Sequence, residues 1–251
     1  MKTRSDNRMH REAIDRLKAI TDKLVKDLGE LHFSDPVSLV YNPLEYARSA
    51  YDRYLERYAL PPKEAVLLGM NPGPWGMAQT GVPFGEVGIV RDWLAITADV
   101  AVPARTHPKR PVKGFACTRS EVSGRRLWGW VRETFVDPDR FFARFFVANY
   151  CPLLFLEENG RNRTPNNLKA PERKALQAVC DAALRSSMEV LQPRFVVGIG
   201  RFAGQRAREA LSGTDITVGE ILHPSPANPK ANRGWPQQAA AQLAALGIRL
   251  A

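Results

Sequence analysis

Residues Ala65 to Glu86 read AVLLGMNPGPWGMAQTGVPFGE, and this stretch decides the fold. Ala65-Val66-Leu67-Leu68 is short and wholly apolar, the pattern of a strand buried on both faces in a parallel sheet. Gly69-Met70-Asn71-Pro72-Gly73-Pro74 then turns the chain sharply and leaves backbone N–H groups bare to a ligand. Open α/β sheets bind their ligands at the carboxyl ends of strands, which is where Asn71 stands. A second loop of the same character, HPSPANPKAN from His223 to Asn232, follows the β-like run Ile216 to Leu222. Two polar, Pro-punctuated loops at strand ends, one with an Asn and one with a His, point to a composite active site.

Two further apolar runs lie between these loops. Phe145-Phe146-Val147-Ala148 reads as a buried strand that delivers Asn149, and Phe195 to Ile199 as another. Helices are expected around them. Ile14, Leu17, Ile20, Leu24 and Leu28 recur at three- and four-residue steps, the mark of an amphipathic helix. Similar patterns predict helices over 43–58, 90–98, 126–134, 171–191, 201–211 and 236–246, the last stopped by Gly247. Strands alternating with helices imply an α/β fold with a parallel sheet covered on both faces. The Pro-, Gly- and Arg/Lys-rich segment 103–124 reads as a long loop, a length that usually serves function. No linker-like composition and no repeat divides the chain, so one domain is expected over 1–251, with a polar, disordered tail at 1–9.

Lys and Arg number 36 against 26 Asp and Glu, a net charge of +10, which favours a polyanionic partner. Three widely spaced cysteines, Cys117, Cys151 and Cys180, suit neither a disulfide framework nor a clustered metal site. The segment MKTRSDNRMHRE lacks the apolar core of a signal peptide, and no run has the length of a membrane span. A soluble protein of a reducing compartment is expected. The glycines at 69–76 match neither a P-loop, which needs a Lys-Ser/Thr pair, nor a dinucleotide fingerprint.

The chain resembles the single-strand-selective monofunctional uracil-DNA glycosylases across roughly residues 30 to 250. The likeness is carried, in order, by Gly69–Glu86, by HPKRPVKGFACTRSEVSGRRLWGW (His107–Trp130), by NYCPLLF (Asn149–Phe155), by GRNRTP (Gly160–Pro165), by VVGIGRFAGQRAR (Val196–Arg208) and by the HPSP loop. The resemblance implies a three-layer α/β/α fold with a four-stranded parallel sheet in the order 2-1-3-4. It also implies a hydrolase of base-excision repair that removes uracil and 5-substituted uracils such as 5-hydroxymethyluracil from DNA, without cofactor or metal. The implied partner is single- or double-stranded DNA, bound by a monomer, in the nucleoid region of a bacterial cytoplasm or in a eukaryotic nucleus. Two rivals remain: a glycosylase for deaminated purines such as xanthine, and a damaged-DNA or single-strand binding module with little turnover.

Cutting an N-glycosidic bond in DNA needs an extruded base, a reader of its edge, a stabilised leaving anion and a placed water. Phe84, flanked by Pro83 and Gly85, could be an ordinary core aromatic; by resemblance it stacks on the base. Asn149 could simply form a turn, but its amide pairs one donor with one acceptor and so complements O4 and N3–H of uracil and mismatches cytosine. His223, by resemblance, donates to the charge growing on uracil O2, a contribution of roughly 3–4 kcal/mol for a pre-placed donor. Asn71, where the most active branch of the superfamily has an Asp, by resemblance orients the water; an amide cannot take its proton, which implies a slower enzyme. Gly69 and Met70 belong to the same substrate-binding loop. Gly73 and Met77 correspond to residues near C5 of the base, although Met77 alone reads equally as core. Lys109 and Arg110, with Lys113, Ser120, Ser123 and Arg125, form either a solvated basic loop or a grip on phosphates. After His223, residues Ser225, Ala227, Asn228, Pro229, Lys230 and Arg233 correspond to the family's duplex wedge, in which vertebrate members have an Arg in place of Ala227.

Overall fold

The computed structural model describes residues 4–250, with side chains described from Arg8 onward. The elements run α1 (Arg4–Gly29), β1 (Leu39–Tyr41), α2 (Pro43–Tyr46), α3 (Arg48–Tyr58), β2 (Ala65–Gly69), α4 (Met77–Thr80), α5 (Val87–Asp92) and α6 (Val122–Phe135). They continue with α7 (Pro138–Phe142), β3 (Phe145–Asn149), β4 (Leu154–Leu156), β5 (Asn162–Arg163), α8 (Ala170–Leu191), β6 (Phe195–Ile199), α9 (Arg201–Ala210), β7 (Thr217–Ile221) and α10 (Trp235–Ala245).

The main sheet has four strands, all parallel, in the order β3-β2-β6-β7. Counted among themselves these are strands 2-1-3-4. Every residue of β2 and of β6 is buried, as both faces of a central strand must be when helices cover them. The architecture is three-layer α/β/α. Because the strands are parallel, all four carboxyl ends lie on one edge. Gly69 pairs with Asn149 in register, and β7 ends two residues before His223. Backbone pairing then runs past the strands: the Tyr150 N–H donates to Gly69 O and the Cys151 N–H to Met70 O, both at 2.9 Å. The β2 and β3 loops thus leave the sheet bonded to each other. That is what brings Asn71 and Asn149 to one place.

The core behind this edge is aromatic. Tyr54 and Tyr58 on α3 are buried, and their hydroxyls donate to Val147 O and Leu94 O, both at 2.8 Å, so neither polar tip is left unpaired. Tyr58 stacks on Phe142 with ring centroids 3.9 Å apart.

Several sequence expectations shift. From the expected tail at 1–9, residues 1–3 lie outside the described residues, and from Arg4 the chain is already helical. The helix expected over 43–58 is two, because Ala47 leaves the helical region (φ −110°, ψ 25°). The helix expected over 90–98 is instead Val87–Asp92. The Trp93 and Leu94 N–H groups both donate to Ile89 O, which closes the helix, and the chain turns at Ala95 (φ 49°) so that Leu94 and Ile96 enter the core. The helix expected over 126–134 begins earlier, at Val122, which shortens the loop before it. A small antiparallel sheet, β1-β4-β5, has strands of two or three residues, too short for a periodic signal.

Candidate active site

At the carboxyl edge of the sheet lies a cavity of about 200 Å³. The β2 loop contributes Met70, Asn71, Gly73 and Met77 to its wall, β3 contributes Asn149, and the β7 loop contributes His223 and Ser225. Phe84, Glu121, Ser123, Asn162 and Thr164 also line it.

The floor is built on a missing side chain. A Cβ on Gly69 would fall 2.3 Å from Asn149 Oδ1 and 2.5 Å from Phe84 Cε2, so only glycine lets the amide and the ring meet. Phe84 is held in a costly backbone state. It is the third residue of a turn closed by the Gly85 N–H on Val82 O at 2.8 Å, and its φ is +56°. That corner normally takes Gly or Asn, and strain of this kind gathers at functional sites.

Asn149 keeps its hydrogen-bonding capacity. Oδ1 is fully buried with no partner, and Nδ2 has only the thioether sulfur of Met77 at 3.2 Å, a weak acceptor. An unpaired buried acceptor costs about 1–3 kcal/mol. A base edge offering N–H beside C=O would satisfy both ends at once. Asn71 is in the opposite condition: its Nδ2 donates to Leu153 O at 3.2 Å, which fixes the amide and leaves Oδ1 as the end able to accept from a water.

His223 is neutral. Burial lowers its pKa to about 4, and its Nδ1 accepts the Ser225 N–H at 3.1 Å, so the ring proton sits on Nε2. A neutral imidazole in this tautomer is a donor that needs no proton from solvent. Its ring centroid lies 6.2 Å from that of Phe84. Gly200, at the end of β6 with φ +91°, leaves room for the His223 Cβ.

A family model described as the uracil DNA glycosylase superfamily matches residues 58–245. The single-strand selective monofunctional uracil-DNA glycosylase of Rattus norvegicus is 51% identical over 228 residues, which cover 90% of this chain and 82% of the rat protein. The chain belongs to that glycosylase family. The corresponding Mus musculus protein is 50% identical over the same shares of the two chains. The crystal structure of wild-type Pedobacter heparinus SMUG2 shares the fold, with a TM-score of 0.62 at 14% identity over 91% of this chain and 97% of that one.

The residues that the family likeness marks for DNA contact divide into two groups. Ser123 and Ser225 lie on the pocket wall. Lys109, Ala227, Pro229, Lys230 and Arg233 are exposed at the surface, with Asn228 half-buried. Arg110 is partly spent inside the protein, since its guanidinium lies over the Trp75 ring at 5.3 Å, and Arg119 lies over the same ring at 4.5 Å. The basic loop is therefore packed onto the Asn71 loop. Gln79 ties them further, donating to Pro74 O at 2.8 Å and Pro111 O at 3.1 Å while accepting the Lys113 N–H at 2.8 Å.

Sequence reasoning missed four residues. Arg126 donates to Pro224 O at 3.1 Å and to Asn232 Oδ1 at 2.8 Å, anchoring the His223 loop to α6. Asn162 and Thr164 arrive on β5 and the turn after it, and Asn162 Oδ1 is a second buried oxygen without a partner. Glu121 is the fourth. The one available signal was its oddity, a lone acid among Arg119, Arg125 and Arg126. Among the described residues no group of three or more His, Cys, Asp or Glu side chains is placed to hold a metal ion.

Proposed function

We propose that this protein hydrolyses the N-glycosidic bond of uracil flipped out of DNA, with the division of labour that its pocket suggests. The observation that carries the reading is the unspent amide of Asn149 facing Phe84 across Gly69. Its Oδ1 accepts N3–H and its Nδ2 donates to O4, a pairing that cytosine reverses at both atoms. Phe84 supplies a stacking face that suits any base, so selection rests on the amide. As the C1′–N1 bond breaks, the electron pair stays with uracil and its O2 gains negative charge, which the Nε2–H of neutral His223 stabilises. The sugar is left cationic and needs only a weak nucleophile. Asn71 Oδ1 orients a water toward C1′, and the proton that water loses passes to the departing uracil anion or to solvent, since an amide cannot take it.

The loop from Gly69 to Glu86 contains no Lys that could form a Schiff base with the sugar, in keeping with hydrolysis alone. The neutral, half-buried His223 favours an enzyme over a binding module, because binding has no use for a leaving-group donor. Exposed Lys109, Lys230 and Arg233 supply phosphate contacts, and the protein acts as a monomer where the genome lies, in nucleus or nucleoid. The test is release of free base from single strands carrying uracil, with EDTA present, and with cytosine and xanthine strands alongside. Release of uracil without strand scission is the expected result. Binding without release would overturn the reading.

A further inference from the structure

Glu121 is the carboxylate on the wall of the pocket. It directly precedes α6, yet its side chain makes no capping bond to that helix. It turns inward. Oε2 accepts the Trp75 N–H at 3.2 Å, and a Cβ on Gly73 would fall 2.2 Å from the same oxygen. A Cβ on Gly76 would fall 3.0 Å from Glu121 Cγ. Two glycines thus let the acid lie against the turn that carries Asn71. Among the described residues no donor reaches Oε1. Burial raises the carboxyl pKa, opposed by the Trp75 N–H.

The orientation of the base says what this acid faces. With N3–H on Asn149 Oδ1 and O4 on Nδ2, the next atom round the ring is C5. Nδ2 itself lies against Met77 Sδ, so the edge beyond O4 faces Met77 and the turn Gly73–Gly76 that leads into it. Glu121 lies on that turn. His223, at O2, lies across the ring.

We propose that Glu121 reads the substituent at C5 of the flipped base, accepting a hydrogen bond from a neutral donor such as a hydroxymethyl group and repelling an anionic one such as a carboxylate. The assignment rests on the reading of Asn149 as the reader of the uracil edge. A methyl group gives Oε1 nothing to accept, so thymine gains nothing here. A carboxylate on C5 sets two negative charges together beside the half-buried Glu121, where their repulsion is screened less than in bulk water.

The experiment compares kcat/KM on single strands of one sequence carrying uracil, 5-hydroxymethyluracil or 5-carboxyuracil, for the wild type, Glu121→Gln and Glu121→Ala. The readout is each ratio to uracil, so any common loss from a loosened Trp75 turn cancels. Glu121→Gln keeps an acceptor for the Trp75 N–H and removes the charge, and should raise the 5-carboxyuracil ratio about tenfold or more. Glu121→Ala should lower the 5-hydroxymethyluracil ratio about tenfold. If Glu121→Ala does not fold, the Gln arm decides. Ratios that stay within about twofold of the wild type in both variants would reduce Glu121 to an anchor for the turn and overturn the proposal. A wild type that releases uracil but cleaves 5-carboxyuracil equally well overturns it too. A wild type that releases no uracil would sink the reading of the pocket and this assignment with it.

Discussion

The pocket and the loop beyond it are held in opposite ways. Asn149 and Gly69 sit on paired central strands, and Asn71 is pinned through Leu153 O. His223 is half-buried and fixed by the Ser225 N–H. Four residues further on, Ala227, Pro229, Lys230 and Arg233 stand exposed. Apart from the tie of Arg126 to Asn232 Oδ1, that segment is shaped by short-range bonds: Ala227 N–H to Ser225 Oγ at 3.2 Å, Lys230 N–H to Asn228 Oδ1 at 3.1 Å and Asn232 Nδ2 to Pro226 O at 3.0 Å. Chemistry needs atoms placed within fractions of an ångström, and the sheet supplies that. A DNA-facing loop needs reach and charge, and tolerates looser support. On the proposed function one strand end would carry two functions, and substitutions on its two sides should behave differently.

The largest effect expected is inside. Asn149→Asp sets a carboxylate against uracil O4 and removes the donor, and should lower kcat/KM for uracil on the order of 10⁴-fold. Cleavage surviving within about threefold would remove Asn149 as the edge reader. His223→Ala should come next, lowering kcat about 100- to 1,000-fold with little change in binding, because its donor acts in the transition state. Single-turnover rates beside equilibrium binding separate the two.

The pH dependence sharpens the same contrast. A group with a depressed folded pKa binds its proton more readily when unfolded. For His223, lowered to about 4, stability is fully present above about 6.5 and is lost as pH falls toward 4. The neutral donor persists across that window, so kcat should show no break near 6.5. NMR titration of the ring and a pH–rate profile check this together. A kinetic pKa near 6.5 that His223→Ala abolishes would show a solvated histidine instead.

The smallest effect belongs to the rim. If the segment after His223 wedges into the duplex, Ala227 offers neither bulk nor charge to fill the gap left by the flipped base. Ala227→Arg should then raise rates on U·G and U·A duplexes by several-fold, about 1 kcal/mol, and leave single-strand rates nearly unchanged at one fixed salt concentration. Equal duplex rates for both proteins would break the proposed division between pocket and rim.

Much of this was legible in the chain. Three apolar runs and the β-like run Ile216–Leu222, each followed by polar or glycine-rich residues, determined by themselves a parallel α/β sheet, because a central strand buried on both faces must be apolar throughout while an edge strand such as β7 need not be. The same runs placed Asn71, Asn149 and His223 at strand ends. Periodicity failed where strands were too short, at β1, β4 and β5, and so the route by which Asn162 reaches the pocket was hidden. It failed again at 93–98, where burial of Leu94 and Ile96 overrode helical spacing. Only the tertiary structure decided that Asn149 Oδ1 goes unpaired, that the His223 proton sits on Nε2 and that Glu121 leaves its basic neighbours for the pocket. The first and third depend on contacts between residues far apart in the chain, Gly69 with Asn149 and Gly73 with Glu121, whereas the His223 tautomer is set by the local turn to Ser225. Local pattern records which face of an element is apolar. Which distant glycine makes room for which side chain is settled only when the chain is packed.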